Sequence, residues 1–175
     1  MKLSSTESAV TFKTRTPQET ANLGVLAGAA AHSGAVFILG GNLGAGKTVF
    51  AQGVAAGLGI DPAIVRSPTF TILHSYKGRR PLLHFDLYRL ENEAELDGIG
   101  FEELVDTNDG VTVVEWGERF LQAMPTDALW VRLEAPQPLA GERIIFMQAS
   151  GPEAQSILEK LVSAMPSPSG EGGQL

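Results

Sequence analysis

Gly41-Asn42-Leu43-Gly44-Ala45-Gly46-Lys47-Thr48 fits the pattern G-x-x-x-x-G-K-[ST] at every fixed position. The chemistry of a phosphate cradle needs these residue types. A loop that turns its backbone N–H groups inward around phosphate oxygens needs glycine's dihedral freedom. The helix that follows aims its partly positive N-terminus at the same phosphates. Lys47 adds a full charge at the β- and γ-phosphates, and Thr48 offers a hydroxyl to Mg²⁺. The flanks have the matching character. Residues 35–39 are a short apolar run between glycines, read as a buried strand, and residues 47–57 read as a helix stopped at Gly57-Leu58-Gly59. All eight residues of the motif are therefore expected to line a nucleoside triphosphate and its Mg²⁺. The chain has no Asn-Lys-x-Asp, the motif with which GTPases usually read guanine, and this favours ATP.

Upstream of the loop, Thr16-Pro17-Gln18-Glu19 has the form of a capping box with proline in the first turn, and Leu23, Leu26, Ala27 and Ala30 recur at helical spacing. A helix is predicted over about 17–32, with His32 at its end. Downstream, residues 69–76 and 81–88 are rich in β-branched, aromatic and leucine side chains and are separated by Lys77-Gly78-Arg79-Arg80, which predicts an antiparallel hairpin. Residues 91–105 read as partly helical, broken near Gly98 and Gly100. Then follow a buried strand at 111–114, a short helix at 118–124, strands at 129–134 and 143–148, and a helix at 154–165. The Pro-, Ser- and Gly-rich stretch 166–175 reads as a disordered tail, which leaves 1–165 as one domain. The alternation of strands and helices predicts an α/β layered fold of the P-loop NTPase kind, its mixed central sheet containing the antiparallel hairpin.

Composition narrows the function. At 43% hydrophobic and 19% charged residues the chain has the balance of a globular domain, and without cysteine it has neither disulfides nor a thiolate metal site. A net charge of −7 argues against direct, non-specific binding to nucleic acid. The one basic cluster, Lys77, Arg79 and Arg80, reads as a solvated hairpin turn. Residues 22–46 carry no charge, but Asn22, His32, Ser33 and several glycines interrupt them, so they read as helix, turn and buried strand rather than a membrane span. The first ten residues lack a long apolar run, and a cytoplasmic protein is expected.

A phosphate cradle of this kind works with a carboxylate near its Mg²⁺, usually at the end of an apolar strand. Two acids fit. Asp86 follows Leu82-Leu83-His84-Phe85, and Glu115 follows Val111-Thr112-Val113-Val114. Spacing alone leaves open which one holds the metal and which positions water. Asp106 and Asp109 lie in a turn-like stretch, and Glu91, Glu93 and Glu95 read as a solvated face. His74 and His84 lie on the hairpin without ligand-spaced partners, which suits packing or a hydrogen bond.

Four motifs stand in series: the loop Gly41 to Thr48, then Ser67-Pro68-Thr69-Phe70, then His84-Phe85-Asp86-Leu87-Tyr88-Arg89-Leu90, then Glu115-Trp116. In order and spacing the chain resembles the TsaE (YjeE) family of bacterial ATPases over roughly residues 16–143. The resemblance implies an accessory ATPase that acts with TsaB and TsaD proteins to form threonylcarbamoyladenosine in tRNA, reaching tRNA only through that complex. It implies that Lys47 binds phosphate, that Thr48 binds Mg²⁺, and that Asp86 and Glu115 are the acidic metal or catalytic residues. It further implies that segment 67–70 senses the γ-phosphate through Thr69, that Trp116 lies near the nucleotide, and that Arg143 reaches it as well. Two other functions share the same loop. One is a small-molecule kinase, for which Arg79-Arg80 is the only candidate lid. The other is a nucleotide-gated binding module with negligible turnover. No arginine lies within the loop or within 67–70, so slow hydrolysis by the isolated chain and faster hydrolysis by the docked one are expected.

Overall fold

The computed structural model describes residues 9–136 and 141–165. The chain runs β1 (Ala9–Thr14), α1 (Pro17–Ala30), β2 (Val36–Gly40), α2 (Lys47–Gly57), β3 (Leu73–Tyr76) and β4 (Leu82–Asp86). It continues through α3 (Glu93–Gly98), α4 (Phe101–Asp106), β5 (Val111–Glu115), β6 (Leu129–Glu134), β7 (Arg143–Ala149) and α5 (Pro152–Ala164). The seven strands form one sheet in the order β1-β7-β6-β2-β5-β4-β3. Its four central strands, β6, β2, β5 and β4, are parallel, and β3, β7 and β1 pair antiparallel at the edges. The expected α/β fold with a mixed sheet and an antiparallel hairpin is what forms. All five residues of β2 and of β5 are buried, as strands covered on both faces should be. One apolar layer packs α1, α2 and α5 against the sheet, and the other puts α3, α4 and Phe120 over Val36, Ile38, Phe85 and Val114.

Several elements differ from the sequence-based expectation. Strand β1 was not expected. Among the described residues it is an edge strand paired with β7 alone, and its alternation is too short to stand out. Strand β3 starts at Leu73 and not at 69. Residues before it form a turn in which the Pro68 carbonyl accepts from the Thr71 and Ile72 N–H groups, and Ile72 sits at φ 68°. Helix α1 stops at Ala30, capped at its start by the Thr16 hydroxyl, with Glu19 reaching back to the Arg15 N–H. The segment expected as a helix at 118–124 is a 3-10 run, Gly117–Ala123, kinked at Phe120. The break near Gly98 and Gly100 is real, since α3 and α4 part there. The expected tail 166–175 lies outside the described residues. Among the described residues no helix is long and apolar enough to cross a membrane.

Glycines set how closely α1 and α2 approach. Gly24 and Gly28 on α1 face Gly53 and Gly57 on α2. A Cβ on Gly53 would overlap the Ala21 carbonyl oxygen, and one on Gly28 would overlap that of Val54. Glycine inside a helix costs about 1 kcal/mol relative to alanine, but here the added methyl has backbone and not a flexible side chain in its way. Gly53→Ala is therefore expected to destabilise the protein by about 1–3 kcal/mol, the usual cost of overpacking. Gly98, with open space around its Cβ position, is the contrast. Gly98→Ala should be neutral or slightly stabilising in thermal unfolding. A Gly53→Ala protein that melts at or above the wild-type temperature would refute the contact.

Candidate functional site

The site lies outside the carboxyl ends of the parallel strands, where ligands of open α/β sheets bind. The loop leaves β2 at Gly40. It makes its turns at Gly41 (φ 124°), Gly44 (φ 77°) and Gly46 (φ 106°), and Gly46 immediately precedes α2. A side chain at Gly41 would also overlap the Leu133 carbonyl oxygen. Asn42 closes a turn by accepting from the Ala45 N–H, Leu43 stands exposed at the tip, and Ala45 packs into the core.

Lys47 is 5% exposed. Its ammonium donates to the carbonyls of Gly41 (2.6 Å) and Asn42 (3.0 Å) and lies 3.7 Å from the centre of the Trp116 ring. Burial holds its pKa below the ordinary lysine value, while the charges of Glu115, Glu118 and Asp86 pull it back up. Three carboxylates thus share the field of one ammonium.

The strand register brings the two candidate acids side by side, because Asp86 ends β4 opposite Glu115 at the end of β5. Their partners differ. Glu115, 3% exposed, accepts from the Thr48 hydroxyl (3.1 Å to Oε1) and from His84 Nε2 (2.9 Å). Asp86 Oδ2 accepts from the Ser67 and Thr69 hydroxyls at 2.5 and 2.6 Å, and Oδ1 accepts from the Tyr88 N–H. One acid is tied to the helix that follows the loop, the other to segment 67–70.

Trp116 follows Glu115 in a left-handed conformation (φ 66°) and packs against Tyr88 with ring centres 5.0 Å apart. Trp116 and Ile72 are the two non-glycine residues at positive φ among the described residues, and both flank the site. Such backbone costs about 1–3 kcal/mol and tends to gather where segments switch. Arg143 donates to the Ala45 and Gly44 carbonyls at 2.8 and 3.2 Å, so its guanidinium braces the carbonyl side of the loop. An open cleft of about 1290 Å³ lies between the loop and a face of β6 and β7, lined among others by Trp116, Trp130, Ile144 and Phe146.

Sequence reasoning missed Glu118. It accepts from the Gly41 N–H at 3.1 Å, and its other oxygen is buried without a partner among the described residues. Its carboxyl group stands so close to Gly40 that a Cβ there would meet it at 3.1 Å. Nothing in the local pattern marks it, since it follows a tryptophan whose unusual backbone turns the chain back under the loop.

The oxygen donors fit Mg²⁺. That ion takes hard oxygens, usually one or two from the protein with the rest from phosphates and water, and Thr48 with an adjacent carboxylate is such a set. Among the described residues no group of three or more His, Cys, Asp or Glu gathers into an all-protein metal cage.

The family model "Threonylcarbamoyl adenosine biosynthesis protein TsaE" matches residues 14–144. The tRNA threonylcarbamoyladenosine biosynthesis protein TsaE of Treponema pallidum is 44% identical over 119 residues, 68% of this chain and 87% of that protein. The protein of the same name from Bacillus subtilis is 40% identical over 153 residues, 86% and 92% of the two chains. A crystal structure of Bacillus subtilis YdiB superposes with a TM-score of 0.75 at 33% identity, covering 91% of this chain and 98% of that one.

Proposed function

The chain belongs to the TsaE family, and on that premise we propose that it is an ATP-binding, Mg²⁺-dependent ATPase serving threonylcarbamoyladenosine formation in tRNA as an accessory to TsaB and TsaD proteins. The observation that carries the ATPase reading is the division of the two acids around Lys47 and Thr48. In this reading the loop N–H groups and Lys47 bind the β- and γ-phosphates. Thr48 offers its hydroxyl oxygen to the metal, and Glu115 orients that hydroxyl. Asp86 holds segment 67–70 through Ser67 and Thr69, so Thr69 stands at the γ-phosphate side. Mg²⁺, when bound, neutralises charge on the β- and γ-oxygens.

Partner dependence follows from where the arginines go. Arg143 braces the loop, Arg119 donates to the Leu87 and Tyr88 carbonyls, and Arg89 lies over the Phe70 ring. All three are engaged within the protein, and a missing arginine at the γ-phosphate can cost about 10³–10⁵ in rate. Leu43 and Phe70, 81% and 83% exposed, flank the same mouth and offer apolar contact to a docking protein. The kinase alternative loses its lid. Arg79 bonds to the Gly57 carbonyl and Arg80 to Ser33, which lies at the amino end of β2, opposite the phosphate loop. With a net charge of −7, the chain is best placed to reach tRNA through its partners.

The test measures phosphate release with and without a TsaB–TsaD complex, and partner affinity with no nucleotide, with ADP and with a non-hydrolysable ATP analogue. Hydrolysis should be slow alone and faster in the complex. The analogue should tighten docking by about 5–150-fold, the usual range of coupling, and Thr69→Ala should weaken that gain more than it weakens ATP binding. Equal affinity in all three states would sink the switch, and binding with no hydrolysis under any condition would favour the gated module.

A further inference from the structure

His84 lies two residues before Asp86 on β4, fully buried, and its Nε2 is 2.9 Å from Glu115 Oε1. Its Nδ1 is also buried and has no hydrogen-bond partner among the described residues. The asymmetry says which nitrogen donates. An ionised carboxylate only accepts, so the hydrogen in the contact belongs to Nε2. A bare lone pair at Nδ1 is a smaller penalty there than an orphaned buried N–H.

We propose that His84 is a positioning residue for ATP hydrolysis. Its Nε2–H fixes the Glu115 carboxylate so that this acid faces the Thr48 hydroxyl. The inference rests on the ATPase reading above. Glu115 has three side-chain torsions and ends its strand at the mouth of the site. Two donors, Thr48 from α2 and His84 from β4, reach its carboxylate from different elements. The Thr48 donor sits on the side chain that must also meet the metal, and the His84 donor is the one independent of the ligand. His84 pairs with Val113 across the sheet, so Glu115 is its diagonal neighbour, within reach of a ring but not of a shorter side chain. This spacing explains a histidine in an otherwise apolar stretch of β4.

The experiment measures single-turnover ATP hydrolysis by the full chain, ATP affinity and Mg²⁺ dependence, for wild type, His84→Leu, His84→Gln and Lys47→Ala. Outer partners of metal-site carboxylates typically contribute 10–100-fold. His84→Leu should therefore lower the rate constant by at least about tenfold and raise the Mg²⁺ concentration needed for half-maximal rate, with ATP affinity changed less than about threefold. His84→Gln, whose amide can donate from the same place, should recover most of both. A His84→Leu protein with wild-type rate and Mg²⁺ dependence overturns the inference, as does an equal loss in both variants. If the leucine variant does not fold, the glutamine variant decides. A rate within about threefold of wild type supports the role, and a loss of about tenfold or more overturns it. Lys47→Ala separates the two levels of argument. If it binds and hydrolyses ATP normally, the ATPase site itself is misassigned, whatever the His84 variants do.

Discussion

Lys47→Ala is expected to remove most of the stabilisation that ATP with Mg²⁺ should confer on this protein. At about 100 times its Kd, a ligand that binds only the folded state adds about 2.7 kcal/mol. For a domain of this size that is a rise of roughly 5–10 °C in melting temperature. The loop's N–H groups remain in the variant, but the full charge at the β- and γ-phosphates is gone. Lys47 also gives two hydrogen bonds to the loop's own carbonyls and lies against Trp116. Burial, meanwhile, disfavours its charge. Those terms oppose each other in the free protein, so the ligand-induced shift is the quantity to compare, not the melting temperature alone. A variant that keeps the full shift would show that the nucleotide binds elsewhere.

Glu115→Ala and Asp86→Ala are each expected to cut hydrolysis by about 10²-fold, the scale of a misplacement of about 1 Å at a reacting centre, but with different signatures. Removing Glu115 takes the acceptor from the Thr48 hydroxyl, so the Mg²⁺ requirement should rise. It also leaves the buried Nε2–H of His84 unpaired, at about 1–3 kcal/mol, so this variant should melt lower. Removing Asp86 releases the Ser67 and Thr69 hydroxyls and the Tyr88 N–H together. ATP binding should survive, while segment 67–70 becomes open to proteolysis and nucleotide-dependent docking is lost. The checks are single-turnover rates across an Mg²⁺ titration, limited proteolysis and partner affinity. Near-normal turnover of both variants with TsaB and TsaD present would remove both carboxylates from the mechanism.

The conformation of the glycine-rich loop was legible from residues alone because such a turn is a local device. Its glycine positions, its lysine and the helix that follows are all specified within a dozen residues, and the structure places positive φ at Gly41, Gly44 and Gly46 as that reading requires. The buried strands β2 and β5 were legible as apolar runs, and the two acids as the residues that end such runs. Edge strand β1 was not, since an edge strand needs only one covered face and borrows its hydrogen bonds from β7, far along the chain. The close contact of α1 with α2 was invisible too, because Gly57 read in isolation looks like a helix stop, and its steric role exists only once α1 is beside it.

What the sequence determined by itself was the class of fold, the family and a short set of acids beside the glycine-rich loop. Tertiary structure alone decided how those acids divide. The sheet order puts β5 between β2 and β4, which brings Glu115 to Thr48 across 67 residues of chain and leaves Asp86 facing segment 67–70. It also put Arg143 behind the loop and Arg79 and Arg80 at the opposite end of the sheet. The physical reason is that hydrophobic pattern and turn chemistry act over neighbouring residues. The partner of a strand-end carboxylate is set by which strands pair and in what register, and that is settled only when the whole sheet closes around its core.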